Sequence, residues 1–240
     1  MNLIIDQGNT QFKIGLFEKK ELKISRRFNY NQLVEFKKIC LQEKINRVII
    51  SSVIDREIDL SFLNTRQILL LDHLTPLPIK NNYKTPQTLG RDRIANVVGA
   101  WVLNPQKSSL VIDSGTCIKY DIISENGQYI GGNIAPGLRM RFQALNYFTD
   151  QLPELEPEKN VHQIFGTDTN TSLQCGVFLG MEHEINGFIN RYKKEFSQLT
   201  IFMTGGDLKY FDKRDKKSIF ANQNLTLIGL NEILNHNAQL

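Results

Sequence analysis

The sequence predicts an α/β protein made of two similar domains, and three observations support this fold class. The phrase LIIDQGNTQFK, which begins at Leu3, returns from Leu110 as LVIDSGTCIK, one residue shorter in its turn. The aspartates of the two phrases stand at positions 6 and 113, which are 107 residues apart, a domain-sized spacing that is far too long for a solenoid or propeller repeat. Each phrase is followed by short strands and then by alternating helices and strands, so the whole plan occurs twice.

Turn residues and apolar periodicity assign the elements of the first half. Gly8 and Asn9 tolerate positive φ and predict a hairpin between two apolar strands. Leu33, Phe36 and Ile39 recur at helical spacing. The predicted series is a hairpin of strands 2–6 and 12–17, an edge strand 22–25, a helix 31–43, strands 47–53 and 68–71, a proline-marked loop, and a helix 90–103 that stops before Pro105.

The second half repeats this plan around the hairpin signal Asn126-Gly127. Its predicted elements are strands 109–113, 117–123 and 128–134, helices 137–148 and 170–195, a strand 199–203 and a last helix 229–237. We therefore expect one domain over residues 1–106 and another over 107–240, with the last helix free to pack back on the first domain. Hairpins give antiparallel pairs and helical crossovers give parallel ones, so each sheet is expected to be mixed.

The repeated phrases have a chemical interpretation as well as a structural one. A tight turn such as Gly8-Asn9-Thr10 or Ser114-Gly115-Thr116 can point backbone N–H groups and hydroxyls toward phosphates, and the preceding aspartate can hold a cation or its waters. The alternative is that Asp6 and Asp113 are ordinary turn residues at strand ends, and the duplication of the phrase argues against it. The sequence therefore predicts two phosphate-binding turns that face each other across an interdomain cleft.

Composition limits the class of partner. The chain has 240 residues, of which 41% are hydrophobic, and its 29 basic and 25 acidic side chains give a net charge of +4. This small surplus suits an anionic small substrate and gives little reason to expect nucleic-acid binding. No apolar run reaches the roughly 18 residues of a membrane span, and the chain enters its first strand without a signal sequence. We expect a cytoplasmic protein with no membrane partner.

The motifs resemble a known superfamily. DQGNT from Asp6, DSGT from Asp113 and TGG from Thr204 are similar to the two phosphate motifs and the adenosine motif of actin, heat-shock chaperone ATPases and sugar kinases. Within that superfamily, GRDRIANVVGAW, GGNIAPGL and GTDTNTSLQCGV resemble the type III pantothenate kinases, in the family's order and over nearly the whole chain. The resemblance implies duplicated ribonuclease-H-like domains of the actin-like ATPase type.

It also implies an activity and its cofactors. These are the phosphorylation of pantothenate to 4′-phosphopantothenate with ATP, the first step of coenzyme A biosynthesis, by a homodimer that depends on a divalent cation such as magnesium and a monovalent cation such as potassium or ammonium. On this resemblance, Asp113 holds the monovalent cation and Thr116 contacts the nucleotide. The ATP phosphates are received by the first turn, which consists of Asp6, Gln7, Gly8, Asn9, Thr10, Gln11, Phe12 and Lys13.

The resemblance assigns the acceptor substrate to a second segment. Gly90, Arg91, Asp92 and Arg93 match the family's substrate-binding run, in which the aspartate is the general base, and Tyr83 and Thr169 match its other pantothenate contacts. The chain departs from the family's usual pattern at two positions. Arg91 stands where a small residue is usual, and Lys119 stands where a hydroxyl residue is common.

Alternatives remain open from the residues alone. Asp92 has the position of a carboxylate that stabilises the first turn of a helix, and Thr169 has that of a helix N-cap. The motifs also fit a kinase for another small hydroxy acid or sugar. A different class of function is a nucleotide-switched actin-like binding module or a transcription accessory factor, which would hydrolyse or bind ATP without a small-molecule acceptor.

Overall fold

The computed structural model describes residues 1–65, 67–158, 161, 163–210 and 219–239, and these form two compact units. The first unit contains Met1–Pro105, the short stretch Gly127–Tyr129 and the C-terminal residues from Asn224. The second contains the described residues of Gln106–Asn126 and Ile130–Gln223. The C-terminal helix therefore groups with the N-terminal half of the chain.

The strands and helices follow the predicted order. Two short strands that were not predicted, of two and three residues, are added to them. The strands are β1 Asn2–Gln7, β2 Gln11–Glu18, β3 Glu21–Asn29, β4 Arg47–Ser52, β5 Ile68–Leu70, β6 Lys80–Asn81, β7 Ser109–Ser114, β8 Cys117–Ile123, β9 Gln128–Pro136, β10 Thr200–Thr204 and β11 Ile219–Ala221. The helices are α1 Leu33–Leu41, α2 Arg91–Leu103, α3 Leu138–Tyr147, α4 Thr169–Glu195 and α5 Leu225–Asn237. Among the described residues, every helix is too short or too polar to cross a bilayer.

The sheet of the first unit is mixed, as predicted. Its strand order is β3-β2-β1-β4-β5. The hairpin partners β1 and β2, and then β2 and β3, are antiparallel, whereas β4 lies parallel to both β1 and β5. The third strand, Glu21–Asn29, is longer than the predicted 22–25. It pairs along most of β2, even where its own apolar and polar residues do not alternate.

The sheet of the second unit repeats this arrangement. Its strands lie in the order β11-β10-β7-β8-β9, with β7 and β8 antiparallel and β10 parallel to both β7 and β11. In both units the first strand of the hairpin thus has an antiparallel neighbour on one side and a parallel neighbour on the other. The predicted fold class of duplicated α/β domains is confirmed.

Each unit has its own apolar core. In the first, the ring of Phe12 stacks on Phe28 at 5.3 Å between centroids and meets Phe36 of α1 edge-on at 5.4 Å. In the second, buried residues of β7 and β8, such as Ile112 and Tyr120, pack with residues of α3 and α4. These cores fix the hairpins from which the two repeated turns project.

Two glycines allow α5 to pack closely on α2 in the first unit. A Cβ atom at Gly229 would overlap the carbonyl of Ala95 and would lie 2.8 Å from the backbone nitrogen of Gly99. A Cβ atom at Gly99 would in turn overlap the carbonyl of Leu225. The two helix backbones approach so closely that neither position has room for a side chain.

We predict that Gly229→Ala lowers the free energy of unfolding by about 1–3 kcal/mol, because the added methyl group forces the two helices apart. Urea denaturation of the purified variants measures the change. The matched control is Gly187→Ala in α4, where an added Cβ meets open space. This control should be neutral or should stabilise by up to about 1 kcal/mol, since alanine is the better helix former. A Gly229→Ala protein as stable as the wild type would contradict the packing argument.

Candidate functional site

The first repeated turn joins β1 to β2 and is held from behind by an aromatic side chain. The Gly8 amide donates a hydrogen bond to the Gln11 carbonyl at 3.0 Å, which closes the turn. The Tyr30 hydroxyl donates to the Gly8 carbonyl at 2.7 Å. Asn9 and Thr10, at the tip, are exposed. The turn therefore presents its tip to solvent on a fixed backbone.

Two of the residues predicted to contact the nucleotide point into the protein instead of toward a ligand. Phe12 is fully buried in the apolar core. Gln7 is 3% exposed, and its side-chain amide donates to the Arg56 carbonyl at 3.0 Å. The Arg56 guanidinium lies over the Tyr30 ring, 4.4 Å from its centroid. Gln7 and Phe12 thus support the turn from below, and Phe12 can offer a ligand only its backbone groups.

Lys13 has an unusual electrostatic position in this hairpin. It lies directly across from Asp6 in the β1–β2 register and directly across from Arg27 in the β2–β3 register. Burial, and after it the neighbouring Arg27, lower the pKa of Lys13 to about 8, although the Asp6 carboxylate acts in the opposite direction. A nearby anion would favour the charged form of this lysine.

The predicted acceptor segment begins α2. Gly90 is the N-cap, and the Asp92 carboxylate accepts a hydrogen bond from the Arg93 amide at 2.9 Å. The cap residue is thus Gly90, and Asp92 lies within the first helical turn. The side chain of Arg93 is buried, with its guanidinium 5.4 Å from the centroid of the Tyr83 ring. The structure therefore brings Tyr83 and the Gly90–Arg93 run together.

A contact of Arg91 connects this segment to the edge of the sheet that carries the first turn. The Arg91 guanidinium donates a hydrogen bond to the carbonyl of Ser52, the last residue of β4. Ser52 is the register partner of Gln7, the last residue of β1. The start of α2 thus lies beside the carboxyl ends of two parallel strands, the usual place for a ligand in an α/β sheet. A cavity of about 930 Å³ opens here, lined by Gln7, Ser52 and Arg91 among others.

In the second unit, the repeated turn is enclosed by two glycines. The Gly137 amide donates to the Thr116 carbonyl at 3.1 Å, and a Cβ atom at Gly137 would overlap the Gly115 and Thr116 carbonyls. Gly205, at φ +100°, is packed against the Ser114 carbonyl, and a Cβ atom there would also lie 2.7 Å from Asp113 Oδ1. Three segments that looked like separate motifs in the sequence therefore meet around this turn.

The carboxylate of Asp113 has a partner on the neighbouring strand. Lys119 Nζ lies 2.8 Å from Asp113 Oδ2, and the two side chains are only 16% and 14% exposed. The hydroxyl of Thr116, at the tip of the turn, is exposed and lies outside this pair. The predicted cation position thus already contains a positive charge.

Sequence reasoning missed one acidic residue near this turn. Asp207 is buried, Ser114 Oγ donates to its Oδ2 at 3.3 Å, and burial raises the pKa of its carboxyl group. The only signal for it was its place directly after the Thr204-Gly205-Gly206 motif.

Thr169, the remaining predicted contact, is the first residue of α4 in the second unit. The alternative that it is the N-cap is wrong. Asp168 is the cap, because its carboxylate accepts a hydrogen bond from the Thr171 amide at 2.9 Å and Thr171 completes a capping box. Thr169 is exposed, so its side chain is accessible to a ligand.

Comparisons with known proteins agree on the family. The family model described as type III pantothenate kinase matches residues 2–191. Curated proteins with that name include one from Phocaeicola vulgatus, 45% identical with 100% of both chains covered, and one from Bacteroides fragilis, 44% identical with 99% of this chain and 98% of that protein covered.

Solved structures agree on the fold. A candidate Baf family transcriptional activator from Campylobacter jejuni superposes with a TM-score of 0.64 at 22% identity and covers 99% of this chain and 100% of that one. The activator of the 2-hydroxyisocaproyl-CoA dehydratase from Clostridium difficile, solved with bound ADPNP, superposes with a TM-score of 0.54 at 13% identity and covers 99% and 94%. These identities support the fold alone.

We predict that Lys13 titrates with a pKa of about 8, which NMR of lysine side-chain carbons can measure. Since folding lowers this pKa, the unfolded chain binds the extra proton between pH about 8 and 10.5, and the contribution of Lys13 to the free energy of unfolding rises with pH across that window.

The variant Arg27→Gln should raise the pKa of Lys13, because it removes the facing positive charge. The control Arg26→Gln changes an arginine on the same strand whose register partner is Ile14, and it should leave the titration unchanged. A wild-type lysine that titrates at its ordinary value of 10.5 would refute the assignment.

Proposed function

Because the chain belongs to the type III pantothenate kinase family, we propose that it catalyses the ATP-dependent phosphorylation of pantothenate to 4′-phosphopantothenate, the first step of coenzyme A biosynthesis. The observation that carries the proposal is the Arg91–Ser52 contact. It puts the predicted acceptor segment beside the carboxyl end of β1, from which the predicted nucleotide turn projects. A donor phosphate and an acceptor hydroxyl can therefore be held at neighbouring positions of one unit.

We propose that the first turn receives the ATP phosphates. The backbone amides around Asn9 and Thr10 and the ammonium group of Lys13 supply the positive potential that a phosphate chain needs, and Thr116 contacts the nucleotide from the second turn. Catalysis of phosphoryl transfer is mostly positioning and stabilisation of charge on the transferred group. The fixed backbone of the turn, with Tyr30 bonded to Gly8, suits this task.

A magnesium ion bound with ATP could be held by a protein carboxylate together with the ATP phosphates. No cluster of three metal-ligating side chains exists in the part of the chain that the structure describes. Magnesium commonly uses one or two carboxylates together with substrate phosphates. We propose Asp6, at the end of β1, as the protein ligand, and the ion would neutralise charge on the phosphates.

Asp92 is the proposed general base. Its carboxylate lies at the start of α2, where it would accept the proton of the pantothenate primary hydroxyl as that oxygen attacks the γ-phosphorus. We propose that Arg93, stacked on Tyr83, holds the pantothenate carboxylate, since a guanidinium group can donate two parallel hydrogen bonds to it. Arg91 has a positioning role through Ser52. Thr169 contributes a further contact to pantothenate.

We also propose a cytoplasmic homodimer. The end of α3 exposes the side chains of Tyr147 and Phe148, which are 81% and 80% accessible and pack against each other, and Met140 lies on the same helix. A second copy of the chain would remove this apolar surface from water.

We predict that the purified protein releases ADP from ATP only when pantothenate is present. A coupled assay of ADP formation with and without pantothenate distinguishes this kinase from a nucleotide-switched module, which would turn over ATP at the same rate in both conditions. A panel of other small hydroxy acids and sugars tests the remaining alternative, a kinase with a different acceptor. ADP formation at the same rate with and without pantothenate would contradict the proposal.

We predict that Asp92→Asn lowers kcat by roughly 10²–10⁴-fold, the loss expected of a missing general base, and leaves the KM values for ATP and pantothenate nearly unchanged. Asparagine keeps the size of the side chain and its ability to accept the Arg93 amide, so the helix start should survive. The control Glu125→Gln changes an exposed carboxylate that accepts a hydrogen bond from the Ser108 hydroxyl and is not among the residues that line the cavity beside Arg91. It should keep wild-type kinetics. An Asp92→Asn enzyme with undiminished kcat would remove Asp92 from the mechanism.

A further inference from the structure

We propose that the ammonium group of Lys119 takes the place of a monovalent cation at Asp113, so that the enzyme turns over without added potassium or ammonium. The inference rests on the proposed kinase function. It departs from the cation dependence that the family resemblance implies, because the donor set in this chain does not fit a free cation. The positive charge would instead be part of the protein.

The geometry of the pair is the first observation. Asp113 and Lys119 are register partners on the antiparallel strands β7 and β8, so their side chains leave the same face of the sheet directly opposite each other. Lys119 Nζ lies 2.8 Å from Asp113 Oδ2. Both side chains are more than four-fifths buried, where a charge pair is screened less than it is at the surface. The ammonium group is therefore held at the carboxylate.

The other oxygen of the same carboxylate is also closely approached. A Cβ atom at Gly205 would lie 2.7 Å from Asp113 Oδ1, so the backbone of the loop after β10 lies against that oxygen. A potassium ion replaces its water shell with several oxygens at once. With Oδ2 paired to Lys119 and Oδ1 beside the backbone of Gly205, a second positive ion at Asp113 would meet the repulsion of the ammonium group.

The duplication of the chain gives an independent argument. In the first unit, Asp6 and Lys13 are register partners in the corresponding hairpin, on either side of the corresponding turn. Lys119 therefore occupies, in the second repeat, the position that Lys13 occupies in the first. A lysine across from the turn aspartate is therefore a feature of both repeats.

Ammonium and potassium ions are similar in charge and radius, so one can serve where the other does. In the proposed role, the Lys119 ammonium supplies positive potential beside the second turn and offsets the negative charge of the Asp113 carboxylate there. No bond is formed or broken at this group. Its contribution is electrostatic and is present before ATP binds.

The test compares wild type and Lys119→Thr in chloride salts of potassium, ammonium and tetramethylammonium at one ionic strength. We expect the wild-type rate of pantothenate-dependent ADP release to be the same in all three salts, within about twofold. The variant should lose on the order of 10²-fold in tetramethylammonium, the effect of removing a preorganised charge, and should recover with potassium or ammonium. The control Lys23→Thr removes an exposed lysine whose Nζ lies 2.7 Å from Glu21, and it should behave as the wild type.

A second readout does not need turnover. A cation that binds the native state raises the melting temperature, so potassium should stabilise Lys119→Thr relative to tetramethylammonium and should leave the wild type unchanged. Lys119→Gln, which keeps more of the side-chain volume, is measured in the same way if the threonine variant does not fold.

Three outcomes would overturn the proposal: a wild-type rate that rises about tenfold or more with potassium, a potassium-dependent melting temperature in the wild type, or folded variants that respond to no cation. Absence of pantothenate-dependent ADP release in every salt would instead reject the proposed function. The melting comparison would still decide whether Lys119 occupies the cation position.

Discussion

The parallel pairing of the first strand of each unit with a strand from later in the chain is the constraint on which the rest of the structure depends. In the first unit it sets Gln7 beside Ser52, and in the second it sets Asp113 beside Thr204. Because parallel strands end at the same edge of a sheet, segments far apart in sequence meet directly behind each repeated turn. Arg91 reaches Ser52 by this route, and Gly205 reaches the turn after Asp113.

The close approach of these segments explains why glycine recurs in the motifs. Gly137 and Gly205 stand where a Cβ atom would overlap the backbone of the second turn. In the first unit the enclosure is built differently, with the Tyr30 hydroxyl bonded to Gly8 and the Arg56 guanidinium stacked on the same ring. The two repeats thus share one strand topology but fix their turns by different contacts. In the second unit backbone packs against backbone, and in the first a side chain bonds to the backbone.

The sequence predicted the parts of this structure that have a local signal. Hairpin turns, apolar alternation and helical spacing depend on neighbouring residues, so the order of the main strands and helices and the mixed sheets could be predicted. The strands β6 and β11 have two and three residues, and their pairing partners, not their own sequences, create them. The packing of α5 on α2 depends on Gly99 and Gly229, which only a three-dimensional comparison can relate.

The candidate site divides in the same way. Asp6 and Asp113 could be found because their phrase occurs twice, and the Gly90–Arg93 run could be found because it resembles a family motif. Burial could not be predicted for individual residues of a motif, so Gln7 and Phe12 were grouped with the exposed turn tip. Asp207 has neither repeat nor spacing to reveal it. Its proximity to Ser114 follows from the pairing of β10 with β7.

Lys13 and Lys119 occupy equivalent positions in the two repeats but have different electrostatic surroundings. Lys13 lies between Asp6 and Arg27 and is partly buried, and its burial and Arg27 lower its pKa to about 8 against the effect of Asp6. Lys119 faces Asp113 at 2.8 Å, and its charge is balanced within the protein. In the proposed function, the arrival of ATP phosphates at the first turn would favour the charged form of Lys13, because a neighbouring anion raises the pKa of an ammonium group. Phosphates at the first turn would thus favour the charged form of Lys13, whereas Lys119 at the second turn is already paired with a carboxylate of the protein.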